Sequence, residues 1–72
     1  MTNTIGGQQG RMDVDLDNNG RPVRAVLIAG GSVRMGMLRE SKGQTPETFA
    51  AHHGYRVTSW VNAGHAWVEL AR

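Results

Sequence analysis

The chain has 72 residues, a net charge of +2, 39% apolar residues and no cysteine. That length holds one domain and leaves no room for a second. The missing cysteines exclude disulfides, thiolate metal sites and cysteine nucleophiles, and they fit a reducing compartment. No apolar run reaches the ~18 residues of a membrane helix. The polar first ten residues do not read as a signal peptide, so no membrane association and a cytoplasmic location are expected.

Residues 1–10 contain glycines, glutamines and, after Met1, one large apolar side chain, Ile5. They read as a flexible N-terminal arm, with a single small domain over residues 11–72. From Met12 the pattern changes. Val14 and Leu16 alternate with Asp13, Asp15 and Asp17, which predicts a half-solvated strand. Asn19-Gly20 then suits a two-residue type I′ hairpin turn, since both central positions take positive φ. Folding the chain there sets Leu16 opposite Val23, Val14 opposite Ala25 and Asp15 opposite Arg24, each pair contributing about 0.2–1 kcal/mol.

Residues 23–29 are almost wholly apolar, as a strand covered on both faces should be. Gly30-Gly31 supplies a second tight turn. Val33, Met35 and Met37 then share a face with Val26 and Ile28, and Arg34 turns the other way. The three strands form a meander with the middle one most buried.

After a polar loop, Thr45-Pro46-Glu47 predicts a helix start: a hydroxyl N-cap, proline at the first helical position and an acid in the first turn. Gly54 is the expected left-handed stop. Two turns of helix need tertiary packing to exist, and Phe49 is the expected anchor. Residues 55–61 and 65–70 form a final hairpin joined by Asn62-Ala63-Gly64. The fold class is therefore α+β, with the order β-β-β-α-β-β. Expected core positions are Val14, Leu16, Val26, Ile28, Phe49, Val57, Trp60, Val68 and Leu70. A core this small leaves a thin stability margin, which oligomerisation would supplement.

Several constellations bear on chemistry. Val26-Leu-Ile-Ala-Gly-Gly-Ser32 resembles the opening strand and turn of short-chain dehydrogenases, which implies a nucleotide cofactor at a helix N-terminus. Here Ala29 stands at the family's threonine and Arg34 at its middle glycine, and Lys42–Pro46 interrupts the helix that should follow. A nucleotide-binding fragment is therefore the third reading, behind the hairpin.

The element order resembles the OB-fold, and residues 12–20 are similar in pattern to a strand-turn of bacterial translation initiation factor 1. That resemblance implies nucleic-acid binding across a basic, partly aromatic face, with Tyr55 or Trp67 able to stack a base. Asp13, Asp15 and Asp17 superficially match a calcium loop. Asn18 and Arg24 fall where that loop needs glycine and a bidentate glutamate, so a solvated strand face is expected. His52 and His53 are adjacent on a helix and point about 100° apart, so they do not suit a single ion; no metal or cofactor is expected. A helix-turn-helix over residues 45–62 fails because residues 56–62 favour strand. The serines Ser32, Ser41 and Ser59 show no nucleophile-base pattern, so no catalytic set is expected.

The cations are unevenly placed. Arg21, Arg24, Arg34, Arg39 and Lys42 face only Glu40 over one stretch, and Arg56 joins them on a later strand. The expectation is a non-enzymatic binding module that recognises an anionic partner, nucleic acid first, through this basic strand face. The alternative is a protein-protein or inhibitor module, including a homodimer paired through a strand edge.

Overall fold

A computed structural model of the chain describes residues 10–71. The α+β class holds: five antiparallel strands form one sheet with a single α-helix. The strands are β1 (Gly10–Leu16), β2 (Pro22–Ala29), β3 (Ser32–Met37), β4 (Tyr55–Asn62) and β5 (His65–Leu70). A 3-10 turn (Glu40–Lys42) and helix α1 (Pro46–His52) lie between β3 and β4.

The meander and the C-terminal hairpin are not separate, because β5 pairs with β1 and gives the spatial order β3-β2-β1-β5-β4. The central strand is β1, not β2 as the apolar run suggested. Among the described residues, ladder pairing leaves β3 and β4 as the two edges and the sheet open; an OB-like arrangement would close it. Gly10, the first described residue, already pairs with both Ala29 and Val68. The arm expected over residues 1–9 lies outside the described residues.

The first turn differs from the expected type I′. The amide of Gly20 donates to the Asp17 carbonyl at 3.0 Å, and the Asp17 amide donates to the Arg21 carbonyl at 2.9 Å. The loop is therefore Asn18-Asn19-Gly20, with Gly20 at φ +78°, a three-residue connection of the turn-plus-bulge kind. Asp17 explains the preference. Its carboxylate accepts from the amides of Asn19 (2.8 Å) and Arg21 (2.9 Å), a local hydrogen-bond set that the shorter loop lacks. Val14 still faces Ala25 and Asp15 still faces Arg24, but the ladder slips and Leu16 meets Pro22, not Val23.

The second turn is as read, with Gly30 at φ +61° and Gly31 at +78°, a combination that glycine adopts without strain. Helix α1 also starts as read. The Thr45 hydroxyl accepts from the Thr48 amide (3.2 Å), and the Thr48 hydroxyl accepts from the Thr45 amide (2.8 Å). Gly54, at φ +86°, follows the last helical turn.

Helix α1 packs against β4 and β2. It covers the face formed by Met12 and Val14 of β1, Ala25, Leu27 and Ala29 of β2, and Val68 of β5; Leu38 and Ala50 complete this core. Phe49, Tyr55 and Val57 pack against it while partly buried. Of the other expected core residues, Val26 and Ile28 are only half-buried because they face away from the helix, and Leu16, Trp60 and Leu70 are exposed. On the covered side Leu27 lies between Ala25 and Ala29, and Ala50 of the helix belongs to the same core. The bulkier Val26 and Ile28 fall on the far side.

Candidate functional site

Directly opposed residues in an antiparallel ladder project to the same face. The face away from α1 therefore carries Arg11, Asp13 and Asp15 on β1, Arg24, Val26 and Ile28 on β2, and Val33, Met35 and Met37 on β3. His65, Trp67 and Glu69 on β5, with Arg56 on β4, continue it. Among the described residues no element covers this face.

Its two halves differ in chemistry. From Arg24 on β2 across to β4 the charges are paired. Arg24 Nε donates to Asp15 at 2.6 Å, Arg56 binds Glu69, Arg11 lies 3.7 Å from Asp13, and His65 Nδ1 lies 3.1 Å from the same Asp13 carboxylate. The His65 ring meets Trp67 edge-on, with centroids 5.2 Å apart. Toward β3 the surface is apolar. Val33, Met35 and Met37 are 65%, 62% and 69% exposed, and Val26 and Ile28 flank them. These side chains make a contiguous apolar patch, and the largest such patch on a soluble domain is often functional.

The six cations read as one basic surface are divided among three places. Arg24 and Arg56 lie on the open face, each held by a carboxylate. Arg34 projects on the helix side of β3, close enough to His53 to disfavour a second positive charge there. Arg21, Arg39 and Lys42 come to one end of the sheet, where the β1–β2 loop lies beside the 3-10 turn, in company with Asp17 and Glu40. The aromatic candidates divide as well: Tyr55 packs against the core and Trp67 is half-buried on the open face. Sequence reasoning placed Val33, Met35 and Met37 on one face with Val26 and Ile28. It missed that this face stays uncovered.

On the other side, Leu16, Pro22, Pro46 and Trp60 line a shallow groove, in which Trp60 Nε1 donates to Glu47 at 3.2 Å. This hydrogen bond ties β4 to the start of α1. At the opposite end of the helix, the His53 ring packs edge-on against Phe49 at 4.8 Å and against His52 at 5.1 Å.

Burial against these neighbours, then the charges of Arg34 and His52, hold the His53 imidazole below its ordinary value of 6.5. The unfolded chain thus binds more protons than the folded one between that lowered value and 6.5, so this site's contribution is complete above pH 6.5 and declines as the pH falls below it. His53→Gln is expected to flatten the fall in urea midpoint between about pH 7 and pH 5. Equal slopes in the two proteins would remove His53 as the cause. Asp17 acts lower on the scale. The Arg21 amide holds its carboxyl below 3.8 against partial desolvation, with help from the Asn19 amide and the Arg21 charge. Its contribution is present above pH 3.8 and is lost as the pH drops through the lowered value.

Comparison with known proteins returns no significant match to any family model, curated protein or solved structure.

Proposed function

We propose that this is a non-enzymatic protein-interaction module that presents the open face of its sheet to a protein partner. The apolar stripe of Val33, Met35 and Met37 carries this reading. A surface evolved for phosphate would display free cations, yet on this face Arg11, Arg24 and Arg56 each meet a carboxylate. Exposed pairs of this kind contribute little stability, about 0–1 kcal/mol each. Their effect is to leave the face nearly neutral, which suits an apolar contact with a paired polar rim.

Nucleic-acid recognition is the second reading. It is supported by Arg21, Arg34, Arg39 and Lys42, for which no ion pair occurs among the described residues. Three of these stand at one end of the sheet and Arg34 on its helix side, so a polyanion would have to wrap the domain to reach all four.

Two measurements separate the readings. A diazirine amino acid in place of Met37, photolysed in the protein's own cells, is expected to give protein adducts that Val33→Lys abolishes. Binding of a mixed oligonucleotide pool by the purified chain, weakening steeply with salt and lost on changing Arg21, Arg39 and Lys42 to glutamine, is the result expected of the second reading. That outcome, with no protein adduct from position 37, would overturn the first.

A further inference from the structure

We propose that a second copy of the chain joins this one edge to edge through β3, in antiparallel register with the two-fold axis at Met35. It goes beyond the reading of the open face, because strand addition merges the two stripes of Val33, Met35 and Met37 into one larger apolar face and leaves that face open.

The two sheet edges differ in a way that points to β3. β4 is irregular at Val57/Ser59 and again at Trp60/Asn62, and it turns Arg56 toward the open face. Bulges and charges are how edge strands are kept from pairing. β3 has neither device on that face: its register with β2 runs unbroken from Arg24↔Met37 to Ala29↔Ser32. Its charge, Arg34, lies on the helix side. An edge strand of unbroken register with an apolar open face is a template for strand addition.

Backbone alternation fixes which groups are offered. The Leu38 amide donates to the Val23 carbonyl at 2.9 Å. Every second residue back toward the turn, Gly36, Arg34 and Ser32, is therefore bonded to β2. The peptide groups of Val33, Met35 and Met37 point outward, so a second β3 must bond through these same three residues.

Three centred registers satisfy this, and charge and bonding select one. A two-fold axis at Arg34 would set that cation against its own copy at the closest cross-strand distance, which is unfavourable. An axis at Gly36 removes Val33 from the ladder. An axis at Met35 pairs Met35 with the partner's Met35 and Val33 with the partner's Met37. It also sets Arg34 opposite the partner's Gly36, against which a phenylalanine ring packs, so an aromatic face and not a like charge meets the guanidinium. On the open face the central rows then run Val26–Met35 into their symmetry mates, and Ile28–Val33 into the partner's Met37, with no charge between one β2 and the other except Arg24, already bound to Asp15.

The chain has no cysteine, so a single introduced one reports on its own copy alone. In a hydrogen-bonded antiparallel pair the Cα atoms are about 5.5 Å apart, within disulfide reach. Under mild oxidation Met35→Cys is expected to form covalent dimer about ten-fold faster than Val33→Cys or Met37→Cys alone, because only position 35 faces itself and gains the effective concentration of the complex. Mixing Val33→Cys with Met37→Cys should restore the fast rate as a cross-linked heterodimer. Sedimentation of the unaltered chain should show its mass rising from one chain to two with concentration.

Equal rates for the three single variants, or a mass of one chain at every concentration, would overturn the pairing. If the mass stays at one chain while position 37 still yields adducts with a different protein, the second copy is wrong and the interface reading stands. If both fail, the interface reading falls with it.

Discussion

Leu27→Ala is expected to lower the unfolding free energy by about 2–5 kcal/mol, the range for emptying a buried leucine site. Leu27 is 2% exposed and lies at the centre of the helix-covered face, beside Met12 of β1 and beneath α1. A domain of this length has a total stability of roughly 4–11 kcal/mol, so the loss is a large part of the whole. Ile28→Ala, one residue on, removes a side chain of the same size from the open face, where it is half-buried. Its cost should be distinctly smaller, because less area returns to water and the remaining side chains are free to rearrange. Urea unfolding followed by circular dichroism measures both. Equal losses would mean that the helix does not decide which face is the core. The comparison is best made at low protein concentration, where association through β3 adds nothing to the stability of either variant.

The adjacency of Leu27 and Ile28 also shows where the sequence stops being legible. Turns and caps are local, and they could be read directly: Gly30-Gly31 has the two positive-φ positions its loop needs, and Thr45-Pro46 starts α1. Alternation in β1 was equally clear, because its off-face residues are aspartates. β2 offers no such contrast. Ala25, Leu27 and Ala29 alternate with Val26 and Ile28, and both sets are apolar, so period-two reasoning cannot choose the inner face. Side-chain size points to valine and isoleucine, whereas the helix covers the face that carries the alanines. The β1–β5 pairing is non-local and has no turn to announce it.

The candidate surface was obscured for a related reason. Counting cations along residues 21–42 suggests a basic field, but a charge acts with its cross-strand neighbour. The Asp15–Arg24 pair was visible in the first hairpin, and Arg56 opposite Glu69 follows from aligning the last one. Applied consistently, those pairings cancel the open face and draw attention from its cations to the apolar residues of β3.

Gly10→Val is the second substitution expected to be severe, at about 1–3 kcal/mol, and it tests where the domain begins. A side chain at Gly10 would run into Ala29, with the Ile28 carbonyl oxygen only 2.6 Å from the new Cβ. These neighbours are mostly backbone, so β1 and β2 would have to separate to admit it, opening the face on which Val68 and Leu27 pack. Arg11→Val is the matched control. It places the same β-branched side chain on the next residue, but on the uncovered face, where the loss is an exposed ion pair with Asp13. That change should stay within about 0.5 kcal/mol of the parent. If residue 10 belonged to a flexible arm, the order would reverse or vanish, since valine there would meet nothing and would suit an extended chain. A large loss at residue 10 beside a small one at residue 11 requires strand geometry at both, with the close β1–β2 approach on the helix side. That approach depends on glycine, a residue whose abundance near the N-terminus reads, from sequence alone, as looseness.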